Sequence, residues 1–314
     1  MSMETLSGKV VLIEVWESSC INCVRGLPVL NALQARYRDN GFVVLGIHSP
    51  EYNFTASRAV VERASRRFGL EFPVASDSHQ SFWKSWSVRG WPTTYLLDAQ
   101  CRLAFFHRGE FSSRMLERSV QALLCERHPQ LRFPTTLSPQ EEDSYAPGCG
   151  FVTPDISTTH GLDALLNPEG VGTGDTIIYA DPGPVRSEGT FFLRGPWSWL
   201  LNGLQRGAAP GVASIGVTYT AKEVYAVVAN TGETMLWVEI RQDGKPLSEA
   251  NRGSDVVIAR DGRSFLRLTE SRLHYLVVNS DVGRHDLELS PDSPTFQIHS
   301  FNFANRCQTN FPHR

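Results

Sequence analysis

Residues 9–23 read KVVLIEVWESSCINC, and this stretch decides the fold of the first part of the chain. Its first seven residues are largely apolar and rich in β-branched side chains, which is typical of a central strand buried on both faces. Apolar residues then recur every three to four positions and predict a helix; they are Leu27, Leu30, Leu33 and Tyr37. Cys20 and Cys23 therefore lie where a strand passes into a helix.

Strands and helices alternate through the rest of this half. Further strands are predicted at residues 42–48, 72–75, 93–97 and 102–106. A second helix is predicted at residues 55–68, and a last helix begins at Ser112 or Ser113. This alternation, closed by a hairpin and a helix, predicts an α/β layer fold over residues 1–126.

The pattern changes after residue 126. Residues 127–172 contain six prolines and few regular apolar repeats, and they are predicted to form a linker. Residues 173–314 show short apolar runs separated by Gly, Asn and Asp turns, among which Asp243-Gly244 is a hairpin signal. We therefore expect the second half to be an all-β sandwich of jelly-roll type.

Charge and hydropathy exclude several classes of partner. The 314 residues include 30 Lys and Arg and 33 Asp and Glu, a net charge of −3, so neither nucleic acid nor an anionic membrane is an expected partner. The longest apolar runs have the length of a strand, so no membrane span is predicted. The first nine residues lack the pattern of a secretory signal, which indicates a cytoplasmic protein as written, or an extracytoplasmic one if the N-terminus is truncated.

The position of the two neighbouring cysteines gives their thiols different roles. Cys20 lies at the predicted helix N-terminus, where free N–H groups and the helix dipole lower a cysteine pKa from about 8.5 into a range of roughly 3.5 to 7.5. We expect Cys20 to be the attacking nucleophile and Cys23, one turn further on, to be the resolving thiol. No cofactor is predicted.

A zinc site is an alternative for a CxxC pair, but it needs a second close pair of ligands. The other cysteines are isolated, at positions 101, 125, 149 and 307, so no metal is predicted. Glu14 has two open interpretations: it exchanges a proton with Cys23, or it points out of the sheet edge. Pro92, which follows Trp91 and enters a strand, is a candidate cis-proline whose loop would expose backbone to a substrate.

Several of these segments together resemble the thioredoxin superfamily, specifically its TlpA/DipZ-like branch; they are residues 8–12, 16, 19–23, 46–51 and 91–92. The resemblance covers about residues 5–126, and the second half resembles a carbohydrate-binding-module-like jelly roll. It implies that Cys20 and Cys23 are the redox pair and that Glu14 is a buried acid. It also implies a substrate-binding role for Trp91, Pro92 and Trp16. Two departures from thioredoxin are Ser19 in place of Trp and Ile21-Asn22 in place of Gly-Pro.

The main hypothesis is a thiol-disulfide oxidoreductase that acts on protein or small-molecule disulfides and dithiols and is recycled by a redox partner. One alternative is a thiol peroxidase of peroxiredoxin type. Another is a non-catalytic binding protein whose β-sandwich takes a glycan or a protein ligand. Three tryptophans are candidate sugar platforms, and Trp197 and Trp199, beside a Gly-Pro pair, are expected to be more exposed than Trp237.

Overall fold

The computed structural model describes residues 6–137, 151–158, 162–172, 174–201 and 203–305. The chain divides near residue 146 into two compact units. The first unit contains both the strand and the helix predicted around the CxxC pair, and the second contains the predicted β-rich half.

The first unit is built on a five-stranded sheet. Its strands are β1 (Val10–Trp16), β2 (Phe42–His48), β3 (Val74–Ser76), β4 (Thr93–Leu97) and β5 (Leu103–Arg108). Its helices are α1 (Ile21–Tyr37), α2 (Arg58–Arg67), α3 (Ser81–Ser85) and α4 (Ser113–Arg127). The order is β3-β2-β1-β4-β5, with β1, β2 and β3 parallel and β4 antiparallel to both of its neighbours. The predicted α/β fold is confirmed.

β1 lies at the centre of this sheet, and all seven of its residues are buried. One face of the sheet packs against apolar side chains of α1 and α4, including Leu27, Leu30, Leu116 and Val120. The other face packs in a second cluster with Val88 and Tyr95. Each fully buried aliphatic side chain contributes about 1.5–3 kcal/mol, so the core fixes the strand end from which the CxxC loop emerges.

The segment after α4 packs on the first unit, although it was predicted to be linker. Glu117 of α4 is fully buried, and its carboxylate accepts the N–H of Leu137 and the hydroxyl of Tyr37. The ring of Phe133 lies edge-on to that of Tyr37, at 5.5 Å between centroids. The predicted linker at residues 127–172 therefore begins too early, because prolines prevent regular elements without preventing packing.

The second unit is strand-rich. Its strands are β6 (Ile156–Ser157), β7 (Thr176–Tyr179), β8 (Thr190–Leu200), β9 (Gly203–Arg206), β10 (Ser214–Asn230), β11 (Leu236–Gln242), β12 (Lys245–Pro246), β13 (Val256–Ile258), β14 (Ser264–Leu268), β15 (Arg272–Pro291) and β16 (Phe296–Ala304). Nine of these strands pair in the order β13-β14-β11-β15-β10-β16-β9-β8-β7, and β12 pairs with β11. β6 pairs with β16, so this unit begins before the predicted residue 173. The β-rich architecture agrees with the expected β-sandwich, and its jelly-roll connectivity stays a prediction.

The exposure of the tryptophans in this unit is opposite to the prediction. Trp197 is fully buried, Trp199 is 6% exposed, and Trp237 is 36% exposed. The Gly195-Pro196 pair lies inside β8 rather than in a turn, so the strand carries Trp197 and Trp199 into the core. Trp237 occupies an outward position of β11, where buried and more exposed residues alternate.

Candidate active site around Cys20 and Cys23

The two thiols lie at the start of α1 in different surroundings. Cys20 caps the helix: its backbone is extended, with φ −88° and ψ 109°, and its Sγ accepts the N–H of Cys23 at 3.2 Å. Cys20 is half-buried, whereas Cys23 is 1% exposed, and both are free thiols here. A large substrate can therefore reach Cys20 and not Cys23.

The surroundings of Cys23 disfavour its thiolate. Burial raises the pKa of the Cys23 thiol well above its ordinary value, and the hydrogen bond and charge of Cys20 raise it further. The charge of Glu14 acts in the same direction, and a hydrogen bond from the backbone of Glu17 opposes them. Cys23 therefore needs a proton acceptor before it can attack a disulfide.

Glu14 is a buried acid on the strand that leads to the CxxC loop. It lies on the central strand between Gly46 of β2 and Thr94 of β4, and its side chain is 1% exposed. Thr94 Oγ1 donates to Glu14 Oε2 at 2.7 Å. Burial raises the pKa of Glu14 to about 8, against the lowering effect of the Thr94 hydrogen bond. The interpretation of Glu14 as an acid pointing out of the sheet edge is wrong.

The loop before β4 approaches the first turn of α1. The Trp91–Pro92 peptide bond is cis, and Trp91 Nε1 donates to the carbonyl of Ser49 at 2.9 Å. Pro92 lines a small cavity of about 30 Å³ together with residues from α1 and from the segment before α4; these are Asn22, Arg25, Gly26, Val29, Glu110, Phe111 and Ser113. The structure thus brings Pro92 and the CxxC helix to one cavity.

A buried acid and a buried histidine lie next to the CxxC loop. Glu17 and His48 are both fully buried, and Glu17 Oε1 lies 3.6 Å from His48 Nε2. The Glu17 carboxylate also accepts the N–H of Ser19 at 2.5 Å and the hydroxyl of Ser18 at 3.3 Å. His48 ends β2, next to Trp16 of the parallel strand β1. This pair is therefore assembled by the parallel pairing of the two strands.

Comparisons with known proteins agree with this geometry. Residues 1–124 match the Redoxin family model, and residues 159–304 match the model of the thioredoxin-like C-terminal domain. Protein DipZ of Mycobacterium bovis is 30% identical over 306 residues, 97% of this chain and 40% of its own. Each of the two units therefore matches a family model of thioredoxin type.

Further relatives carry names that state their chemistry. The thiol-disulfide oxidoreductase ResA of Halalkalibacterium halodurans is 25% identical over 126 residues, 40% of this chain and 69% of its own. A solved thiol-disulfide isomerase of Corynebacterium glutamicum is 26% identical, with a TM-score of 0.36, over 40% of this chain and 86% of its own. The expected relation to thiol-disulfide oxidoreductases is confirmed. The chain spans about 40% of the length of the DipZ proteins.

One predicted site residue lies away from the surface that a substrate could reach. Trp16 was expected to contact substrate, but its side chain is fully buried. Its ring is edge-on to His48 at 5.1 Å and to Phe68 at 6.4 Å between centroids. The prediction for Trp16 is wrong, because a strand buried on both faces turns its last side chain into the core. Trp91 is half-buried and stays a candidate.

Sequence reasoning missed Glu17 and His48. The available signal was a carboxylate between a buried strand and a CxxC motif, with a histidine at the end of the next strand. In the part of the chain that the structure describes, no group of three or more His, Cys, Asp or Glu side chains could hold a metal ion. Over the same ranges, none of the helices combines the length and the apolar character needed to cross a membrane.

Proposed function

We propose that this chain exchanges disulfides through Cys20 as nucleophile and Cys23 as resolving thiol, with Glu14 as the acid-base group. The observation that carries the proposal is the contrast between the two thiols. Cys20 is partly accessible at the helix start, and Cys23 is buried in the electrostatic field of a buried carboxylate. This contrast gives each thiol one task in a two-step exchange.

In the first step the Cys20 thiolate attacks one sulfur of a substrate disulfide. The Cys20–substrate S–S bond forms, the substrate S–S bond breaks, and the other substrate sulfur leaves as a thiolate that takes a proton from water. In the second step Cys23 loses its proton and attacks Cys20 Sγ. The Cys20–Cys23 disulfide forms and the second substrate thiolate leaves, so the substrate gains two electrons and the pair loses two. The reverse sequence oxidises a dithiol.

Glu14 suits the proton transfer of the second step. With a pKa of about 8 it is roughly one tenth ionised at pH 7, so it can take a proton from Cys23 and return it in the reverse reaction. Its position on a central strand excludes direct exchange of that proton with bulk water. A base of matched pKa is the arrangement that general acid-base catalysis favours.

The substrates we propose are protein or small-molecule disulfides and dithiols. The cavity beside Pro92 is lined by the apolar ring of Phe111 and by the polar side chains of Asn22 and Arg25. Asn22 and Arg25 follow closely after Cys20 in the sequence. At about 30 Å³ this cavity admits no more than one small group, so a peptide segment that flanks the disulfide would contact its rim rather than fill it. A separate redox partner would return the pair to its starting state, since each turnover leaves it oxidised or reduced.

For the second unit we propose a role in placing the chain on a glycan or protein ligand. Trp237 is the tryptophan most exposed among the three candidates, and its ring is edge-on to Phe265 at 6.0 Å. Exposed aromatic faces of this kind stack on sugar rings. Fold similarity to carbohydrate-binding modules does not by itself assign this ligand.

Trapping of the mixed disulfide tests the assignment of the two thiols. Cys20→Ser should abolish exchange with a protein disulfide. Cys23→Ser should attack once and accumulate a covalent adduct, which peptide mass spectrometry of the digested chain should locate at Cys20. Cys101→Ser, at an exposed position in the β4–β5 turn, is the matched control and should leave the exchange rate unchanged. An adduct on Cys23, or exchange by Cys20→Ser, would reverse the roles.

A further inference from the structure

Glu17 and His48 have no part in the exchange steps derived above, yet they occupy fully buried positions beside the redox pair. A buried carboxylate is costly unless hydrogen bonds hold it. The Glu17 carboxylate accepts the N–H and the hydroxyl of Ser19, and also the hydroxyl of Ser18. Both serines stand directly before Cys20, so Glu17 fixes the loop that carries the nucleophile.

His48 can hold this loop in two ways. Its Nε2 lies 3.2 Å from the backbone N of Ser18 and 3.6 Å from Glu17 Oε1. A backbone N–H only donates, so Nε2 is the acceptor and the imidazole is neutral in this arrangement. A proton on Nε2 would remove the acceptor of the Ser18 N–H and would give the ring an N–H that points to the Glu17 carboxylate. Protonation therefore exchanges one loop contact for another.

The same loop contacts both cysteines. The N–H of Cys20 donates to the carbonyl of Glu17 at 3.2 Å. The backbone of Glu17 also hydrogen-bonds to the thiol of Cys23. A rearrangement of residues 17–19 would thus change the hydrogen bonds of the nucleophile and of the resolving thiol together.

We propose that Glu17 and His48 are positioning residues that couple protonation of the His48 ring to the redox state of Cys20 and Cys23. The proposal rests on the proposed function, because the two thiols must form and break a disulfide. Formation of that disulfide draws the two sulfurs together and withdraws Cys20 Sγ as an acceptor, which alters the loop that Ser18 and Ser19 share with His48. By linkage, a loop that responds to redox state must change the affinity of His48 for its proton.

Other ionisable groups border the pair. Glu14 lies on β1, and Asp77 follows β3. Cys20 caps α1, and Cys23 lies in its first turn. The N–H of Asp77 donates to the carbonyl of His48 at 2.8 Å, and the Asp77 carboxylate accepts from Ser49, Phe82 and Trp83. Phe68, just beyond α2, contacts the ring of Trp16, and Trp16 in turn contacts His48. Neither Phe68 nor Trp16 carries a charge.

The direction of the titration follows from two opposing effects on His48. Burial lowers the pKa of His48 below its ordinary value of 6.5, and the charge of Glu17 raises it. Removal of that charge should therefore lower the pKa of His48 further. If the contact between Glu17 and His48 were merely structural, the pKa of His48 would be the same in the dithiol and in the disulfide form.

The test is an NMR titration of the His48 ring in the full chain, as the dithiol and as the Cys20–Cys23 disulfide. We expect the two forms to titrate at least half a pH unit apart, which is about a threefold change in the protonation constant. Glu17→Gln should move both titrations to lower pH and bring them together. Glu62→Gln, at an exposed glutamate of α2, is the matched control and should leave both unchanged.

Identical titration of His48 in the two forms of the unaltered chain would overturn the proposal without any variant. If Glu17→Gln does not fold, Glu17→Asp replaces it, since the shorter carboxylate keeps the charge and should preserve the difference between the forms. Failure of the proposed function has another signature: no mixed disulfide on Cys20 in the Cys23→Ser chain. Trapping at Cys20 combined with identical His48 titrations would refute the coupling alone.

Discussion

Replacement of Glu14 by Gln should change the pH dependence of stability in a calculable way. Burial raises the pKa of Glu14 to about 8 in the folded chain, whereas its ordinary value is 4.5. The folded state therefore keeps a proton that the unfolded state releases. The stability contributed by this group is fully present below pH 4.5 and is lost progressively as the pH rises toward about 8.

The magnitude follows from the size of the pKa shift. Each pKa unit corresponds to about 1.36 kcal/mol, so the shift of Glu14 corresponds to roughly 5 kcal/mol across the whole window. At pH 7 most of that window has been crossed, and the loss is roughly 3 kcal/mol. Because a domain is stable by only about 5–15 kcal/mol, this loss is large enough to measure.

Glutamine is a close match for the protonated acid. Its side-chain oxygen can still accept the Thr94 hydroxyl, and its amide group replaces the protonated oxygen of Glu14. Near pH 4 the Glu14→Gln and unaltered chains should therefore be similarly stable. At pH 8 the variant should be more stable by several kcal/mol.

The assay is urea unfolding of the full, reduced chain between pH 4 and pH 9, read as the difference between the variant and the unaltered chain. The second unit is identical in both chains, so its contribution cancels. Thr94→Val should extend the stability loss to higher pH, because the Thr94 hydrogen bond lowers the pKa of Glu14; Thr94→Ser is its control. A difference that does not vary with pH would refute the assignment of a raised pKa to Glu14.

Three further predictions concern function. Glu14→Gln should slow disulfide exchange by about 10²-fold or more near pH 7, measured by stopped-flow, and an unchanged rate would remove Glu14 from the mechanism. Pro92→Ala should weaken exchange with a protein disulfide more than with a small one, measured as the ratio of the two kcat/KM values; equal effects would exclude a contact with the flanking peptide. Trp237→Ala should leave exchange with a small disulfide unchanged and abolish any oligosaccharide binding on a glycan array; retained binding would place the ligand elsewhere.

The local part of the site could be predicted from sequence. The run at residues 9–15 and the helical spacing after Cys20 are short-range patterns, and β1 and α1 lie where these patterns place them. The N-cap position of Cys20 follows from the same junction. The direction of a side chain was harder to predict from the sequence. Trp16 ends a strand buried on both faces, and such a strand has no alternation of polar and apolar residues that would show which way the ring points.

The remaining errors have a common physical origin. The prolines of residues 127–172 indicated where regular structure stops, but packing of Phe133 on Tyr37 is decided by apolar area. Gly195-Pro196 has the composition of a turn, yet pairing with β7 keeps it extended within β8. In each case contacts between distant parts of the chain outweighed a local preference.

Two acids that precede Cys20 differ in their surroundings, and this difference could not be predicted from the local sequence. Glu14 and Glu17 are three residues apart, and both are fully or almost fully buried. Glu14 receives the Thr94 hydroxyl and has a raised pKa, which fits a group that gains and loses a proton. Glu17 is surrounded by Ser18, Ser19 and His48, which fits a group that holds the loop in place. This difference arises from β2 and β4, which the chain brings to β1 only on folding, and so the residue types alone could not separate a proton carrier from a positioning residue.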